Sequence, residues 1–228
     1  GHILAKNKSF FLYEFANRDE LNFVISKIEG QINGILGFLK SASDDNATVW
    51  TTIWKVSKSN GSPMLGIHLL NYLCAQGYKS VMSNGINHAT EEIYNYLGFN
   101  VGELNHYYIP NQRLDTYKIA KFPNAKFNND FNIQKNGSLA LKKIKVEYLI
   151  NNFLFTNKSF RNPYKDFNYF KKRFFDHPIY NYEVYGVFRE AELLSILVAR
   201  VVEEKKSSCI RVVDFYGQEE SLSTFIWY

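Results

Sequence analysis

Apolar and β-branched residues run almost unbroken through Asn22–Ile28 (NFVISKI) and Gln31–Lys40 (QINGILGFLK), with Glu29-Gly30 between them. Two such runs joined by two residues predict a β-hairpin with a tight turn. Thr48–Val56 (TVWTTIWKV), rich in Thr, Val, Ile and Trp, predicts a third strand. Ser57–Pro63 (SKSNGSP) is a turn cluster. Apolar residues then fall at 64, 65, 67, 69, 70, 73 and 74, the stripe of a helix over Met64–Gln76, with Gly77 placed to cap it. Tyr78–Met82 predicts a short strand, Ser83–Asn87 a Gly/Asn loop, and Thr90–Leu97 a helix stopped by Gly98. Phe99–Gly102 and Leu104–Ile109 read as strands closed by Pro110-Asn111. Hairpin, strand, helix, strand, helix, strand predicts an α/β unit over residues 1–120.

Lys121–Gly137 is polar and Asn-rich and reads as a linker, residues 121–137. Beyond it, Ser138–Phe155 and the Phe-rich Tyr164–Phe175 predict helices. Glu183–Phe188, Glu192–Val202 and Ser208–Tyr216 predict three strands, and Ser221–Tyr228 starts like a helix. This half echoes the first. YEVYGVFREAELLSILVARV lines up with NFVISKIEGQINGILGFL, placing Glu190 on Glu29 and Ile196-Leu197 on Ile35-Leu36. NKSF at Asn7–Phe10 recurs at Asn157–Phe160, at a different offset, which chance can supply in an Asn-, Lys- and Phe-rich chain. The ordered recurrence predicts an internal duplication, with residues 138–228 a second, incomplete unit whose last strands and helix are missing. To bury its terminal apolar residues, its sheet or its terminal helix should dock against the first half, with Phe167–Phe175 at the contact.

An apolar content of 46% excludes a disordered chain. No apolar run approaches the roughly 18 residues of a membrane span, and no basic-then-apolar leader opens the sequence, so a cytoplasmic protein is expected. Cys74 and Cys209 are too few for a disulfide framework or a Cys-rich zinc site and read as buried thiols of a reducing compartment. The five His do not form a metal set, so no metal is expected. The net charge of +5 lies wholly in residues 114–228. A basic half suits phosphorylated small molecules, nucleic acid or a simple solvated surface. No nucleic-acid motif accompanies the charge, so nucleic acid is disfavoured. Self-association stays open.

One stretch carries candidate chemistry on its own residues. Gly61–Gly66 (GSPMLG) leads from a strand straight into a helix. The first turn of a helix offers unpaired N–H groups and a positive dipole end to an anion. Gly61 and Gly66 let the backbone approach a phosphate, and Pro63 suits the first turn. The spacing is neither a P-loop nor a dinucleotide fingerprint. An ordinary loop-to-helix turn has the same form.

Gly66–Gly102, GIHLLNYLCAQGYKSVMSNGINHATEEIYNYLGFNVG, resembles the core of the GNAT N-acetyltransferase superfamily. The likeness runs over residues 20–110: hairpin, Gly-containing turn, helix, Gly-Tyr, strand, then Asn87, Thr90, Tyr94, Gly98 and Phe99 in the second motif, with Thr90 where the superfamily has Ala. The resemblance implies a mixed, mostly antiparallel sheet flanked by helices, followed by a second partial unit of the same kind. The superfamily's Gln/Arg-x-x-Gly-x-Gly/Ala turn is only partly present, since Gly61, Met64 and Gly66 hold those positions. Backbone donors survive such changes; Met64 crowds the approach unless its side chain turns away.

Acetyl-CoA or another acyl-CoA is then the implied co-substrate, with a small-molecule amine as acceptor. Ile53, Lys55, Val56, Gly61, Met64, Leu65, Gly66, Ile67, Asn87 and Thr90 fall at the implied cofactor positions. Backbone N–H groups of Thr51–Val56 would polarise the thioester carbonyl, and Tyr94 stands where the superfamily protonates the leaving thiolate. The other role for Tyr94 is to pack its helix on the sheet. His106, in the strand implied to line the acceptor cleft, is the best titratable candidate for the base; Glu29, His68 and His88 fall at a hairpin tip, an early helical turn and a loop. Tandem units with such openings and endings resemble GNAT-like proteins of bacterial surface-polysaccharide synthesis, which implies a nucleotide-linked amino sugar as acceptor. The rival is a GNAT-like binding or scaffold module that moves no acyl group.

Overall fold

The computed structural model describes residues 3–17, 19–43, 47–59, 61–111, 113–114, 116–120, 139–152 and 163–221. The linker expected at 121–137, the repeat at 157–160 and the helix from 222 onward lie outside the described residues. The chain is a mixed α/β protein with antiparallel sheets and helices. It begins with two short helices, α1 (Ile3–Lys6) and α2 (Lys8–Phe15). Asn7 starts α2: its side chain accepts the Phe10 N–H at 2.9 Å. A two-residue ribbon, β1 (Ala16–Asn17) with β2 (Glu20–Leu21), follows.

The first large sheet contains β3 (Phe23–Ile28), β4 (Gln31–Lys40), β5 (Thr48–Val56) and β6 (Ser80–Ser83) in that spatial order. β3, β4 and β5 form an antiparallel meander, while β6 pairs with β5 in parallel. Glu29 and Gly30 both have positive φ (49° and 78°), as the two central residues of a tight hairpin turn require. Helix α3 (Leu65–Cys74) crosses from β5 to β6 and buries Leu69, Leu70 and Leu73 against Leu36, Phe38 and Val49. Helix α4 (His88–Tyr96) is capped by Asn87, whose side chain accepts the Thr90 N–H at 2.9 Å. It ends in a Schellman motif: Gly98 takes φ 79°, Phe99 N–H reaches the Tyr94 carbonyl, and Gly98 N–H reaches that of Asn95.

The second sheet is a wholly antiparallel meander of β7 (Leu139–Lys143), β8 (Glu183–Arg189), β9 (Glu192–Glu204) and β10 (Ser207–Gly217). Helix α5 (Val146–Asn152) follows β7. Helix α6 (Phe167–Phe170) continues into a π-helical turn, Lys171–Phe175. Their core joins Leu149, Phe170, Phe174, Val184, Ile196, Val198 and Tyr216.

The two meanders share one register. Ser26 pairs with Gly34 and Lys27 with Ile32 around a bulge in the first hairpin. Val187 pairs with Ser195 and Phe188 with Leu193 around a bulge in the second, each residue 161 positions further on. The next strand pair agrees as well: Leu36↔Trp54 and Phe38↔Thr51 correspond to Leu197↔Phe215 and Ala199↔Val212.

Three expectations fail. Phe99–Gly102 and Leu104–Ile109 are not strands; the stretch is irregular, Gly102–Ile109 is exposed, and it does not pair with the edge strand β6. Ser138–Phe155 is not one helix. Leu139–Lys143 pairs with the edge of β8 as a strand, and of the described residues of the stretch Val146–Asn152 is helical. Cys74 is exposed rather than buried, since the face of α3 that packs is the one carrying Leu69, Leu70 and Leu73. No helix of the described residues is long and apolar enough to cross a membrane.

The halves meet at α2 and α6. On one side Phe11 and Phe15 lie against Phe23, with ring centroids 5.6 and 4.7 Å away. On the other, Phe10 and Tyr13 pack on His177 at 5.5 and 5.2 Å. Trp50 of β5 meets Tyr169 at 6.2 Å, and the Ser43 N–H donates to Asp166 at 2.9 Å. Within the Phe-rich segment the contact is made by Tyr169, Lys172 and Arg173, while Phe170 and Phe174 turn into the core of their own half.

Candidate active site

The pairing of β5 and β6 sets the geometry. Their parallel ladder runs from Thr48↔Ser80 to Thr51↔Ser83 and stops, while β5 continues to Val56 beside β4 alone. Register with β4 slips at the same place, between Thr51 and Trp54. Past Thr51 the sheet therefore opens into a wedge on the β6 side. Tyr94 reaches the start of this wedge from α4: its hydroxyl is 3.1 Å from Thr51 Oγ1, and its ring is buried edge-on to Trp54 and Phe99.

A cleft of about 940 Å³ lies at the wedge mouth. Thr51–Trp54 and Ser83–Asn87 supply one wall; Tyr13, Glu14, Lys165, Tyr169, Lys172, Arg173 and Asp214 supply the other. So both halves build it. Arg173 Nη1 donates to Glu14 Oε2 at 2.5 Å, and Lys165 Nζ to Asp214 Oδ1 at 2.5 Å, with both partners of the latter pair about nine-tenths buried. Burial opposes the charge on Arg173, yet the Glu14 carboxylate raises its pKa. Desolvation, then the Asp214 charge, raises the Tyr169 pKa and keeps it a neutral phenol.

The expected site residues divide. Ile53, Asn87 and Thr90 line the cleft. The Asn87 side chain is committed to α4, accepting both the N–H and the hydroxyl of Thr90. Lys55 is exposed, and Val56 packs against the first core. Gly61, Met64, Leu65, Gly66 and Ile67 lie outside the cleft lining, at the start of α3. Met64 is 46% exposed. Leu65 N–H is satisfied by Ser62, which leaves Gly66 and Ile67 N–H without a bond to the described residues. Those are donors an anion could use.

Neither glycine faces open space. A Cβ on Gly61 would sit 2.4 Å from the Ser57 carbonyl oxygen, so the glycine lets the turn fold back on the end of β5. A Cβ on Gly66 would sit 3.2 Å from the Trp54 indole nitrogen. Trp54 thus packs directly over the first turn of α3.

His106 is exposed in an irregular stretch, with Tyr108 as its ring neighbour at 6.2 Å. The structure does not bring it to the wedge as a strand residue. His68 and Glu29 are exposed, and His88 faces Glu92 one helical turn on. Among the described residues no group of three His, Cys, Asp or Glu is placed to hold a metal. Sequence reasoning missed Tyr13, Glu14 and the basic pair Lys172-Arg173. The signal for α2 was present, since Asn7 three residues before Phe10 is a helix-start pattern.

No protein-family model matches the chain, and no curated protein does. Two solved structures are similar to part of it. One is an aminoglycoside acetyltransferase from an uncultured soil metagenomic sample, 17% identical, with 39% of this chain covered and a TM-score of 0.31. The chain spans 64% of that protein's length. The other is an acetyltransferase of Trypanosoma brucei, 20% identical, with 39% of this chain and 70% of that one covered and a TM-score of 0.29.

Proposed function

We propose that this chain is a GNAT-type, acyl-CoA-dependent N-acyltransferase, and that the acyl group passes to an amine on a small molecule such as a nucleotide-linked amino sugar. The observation that carries the reading is the wedge itself: β5 loses its parallel partner after Thr51, where the Tyr94 hydroxyl arrives. In this reading the free N–H groups of Gly66 and Ile67 receive the co-substrate's pyrophosphate. Unpaired backbone N–H groups of β5 beyond Thr51 polarise the thioester carbonyl. The acceptor nitrogen forms the C–N bond as the C–S bond breaks. Tyr94 Oη gives its proton to the departing sulfur, and the ammonium proton leaves to a base. Holding both reactants in one cleft supplies much of the rate.

Residues 138–228 are a degenerate second unit in this reading. The shared pairing register at a spacing of 161 supports it. No co-substrate site is assigned there, since Glu219 and Glu220 follow β10 where the first unit has its turn. Those carboxylates repel a pyrophosphate.

One observation favours a second reading, a binding module without turnover. Trp54 lies over Gly66 and edge-on to Tyr94, inside the space that the acyl arm would take. Thermal unfolding with and without acetyl-CoA separates the two. A rise in Tm that saturates supports the transferase; no shift at millimolar acetyl-CoA leaves the module.

A further inference from the structure

Two groups on the second wall of the cleft have work that the fold does not supply. Tyr13 Oη is shielded from solvent and has no hydrogen-bond partner among the described residues. Such a buried donor is destabilising unless something accepts from it. Lys172 projects beside it, its ammonium 5.6 Å from the centre of the Tyr13 ring. Its hydrogen bond goes to the Ala16 carbonyl oxygen at 3.1 Å, and no carboxylate of the described residues lies within ion-pair distance. The other cations of this wall are compensated: Arg173 by Glu14 and Lys165 by Asp214.

We infer that Tyr13 and Lys172 form an anion subsite, which holds a phosphate or carboxylate of the amine acceptor opposite the wedge. One oxyanion can accept from both the phenol and the ammonium. Partial loss of solvent lowers the Lys172 pKa, opposed by Glu14 and assisted by Arg173, and a bound anion reverses the effect of that desolvation. Trp50 and Tyr169, packed on each other, line the same cleft. The name acceptor rests on the acyl-transfer reading; the anion subsite does not.

The test is titration of the full chain with inorganic phosphate and, separately, sodium acetate at low ionic strength and without acyl-CoA, read by thermal shift. Protection by phosphate assigns the subsite to phosphate; protection by acetate alone assigns it to carboxylate. Lys172→Met keeps the aliphatic stem and should weaken the anion at least about tenfold, Tyr13→Phe about three- to tenfold, and Lys172→Arg little. Gly66→Glu removes any share that the free donors of α3 take of the added anion, so the Lys172 and Tyr13 variants are compared in that background. Wild-type protection that persists in Lys172→Met, or no protection by either anion, overturns the subsite. Anion binding that depends on Lys172 in a protein blind to acetyl-CoA leaves the subsite standing and removes the acyl-transfer reading instead.

Discussion

The hydroxyls of Thr51 and Tyr94 lie 3.1 Å apart at the last parallel rung of the first sheet. Thr51 Oγ1 is also 3.4 Å from the Met82 carbonyl oxygen, so Tyr94 is hydrogen-bonded to a threonine that the sheet already fixes. Tyr94→Phe deletes one hydroxyl and keeps the ring between Trp54 and Phe99. Loss of one such bond costs about 1 kcal/mol of stability. If Tyr94 is the acid, acyl transfer falls by about 10²–10⁴-fold. A variant with the wild-type rate returns Tyr94 to packing alone.

Gly66 and Trp54 give a second check. Gly66→Glu drives a carboxylate into the Trp54 indole and sets negative charge beside the free donors of α3. Acetyl-CoA should then no longer raise Tm, while Gly66→Ala retains part of the shift. Trp54→Ala opens the wedge; tighter acetyl-CoA binding in that variant shows that the indole competes for the space.

His177 makes stability depend on pH. Its side chain is 1% exposed, and Nδ1 accepts the N–H groups of Ile179 and Tyr180. Desolvation lowers its pKa below the usual 6.5, with Glu14 opposing and Arg173 and Arg200 assisting. Because the unfolded chain binds the proton more readily, the neutral form's contribution is complete above 6.5 and is lost as pH falls through the folded pKa. Denaturant midpoints measured from pH 7.5 down to 4.5 should decline below 6.5, and His177→Asn should flatten that part of the decline.

Lys205 and Lys206 connect β9 to β10 with φ of 48° and 62°, a conformation that asparagine and glycine adopt more cheaply. Replacing the pair by Asn-Gly should stabilise the chain by about 1 kcal/mol, seen as a higher Tm. An unchanged or lower Tm contradicts the strain.

Phe170 is fully buried among Phe174, Val184 and Tyr216 in the second core. Phe170→Ala should cost about 3–5 kcal/mol through lost burial and the cavity it leaves. Chemical denaturation should show this as a lower midpoint, without a direct effect on the α3 donors.

The elements with strong periodicity were legible in the sequence. The Glu29-Gly30 hairpin, the stripe of α3 and the Asn87-to-Gly98 frame of α4 carry their own start, face and stop signals. Leu104–Ile109 has strand-forming residues, but among the described residues it pairs with no strand, and pairing is a property of two segments. Leu139–Lys143 errs the other way: LALKK suits a helix locally, and the edge of β8 makes it a strand. At the site, the wedge could be placed by resemblance. The second wall could not, because Glu14 and Arg173 are 159 positions apart and nothing local marks them as partners.

That separation also governs how the chain matures on the ribosome. One side of α2 finds Phe23 almost at once, while Phe10, Tyr13 and Glu14 must wait for Arg173 and His177. At the usual 5–20 residues per second, that interval is on the order of 10–30 s. During it the Phe10 and Tyr13 side of α2 and the buried-to-be carboxylate of Glu14 stay uncovered, until α6 and the turn after it emerge.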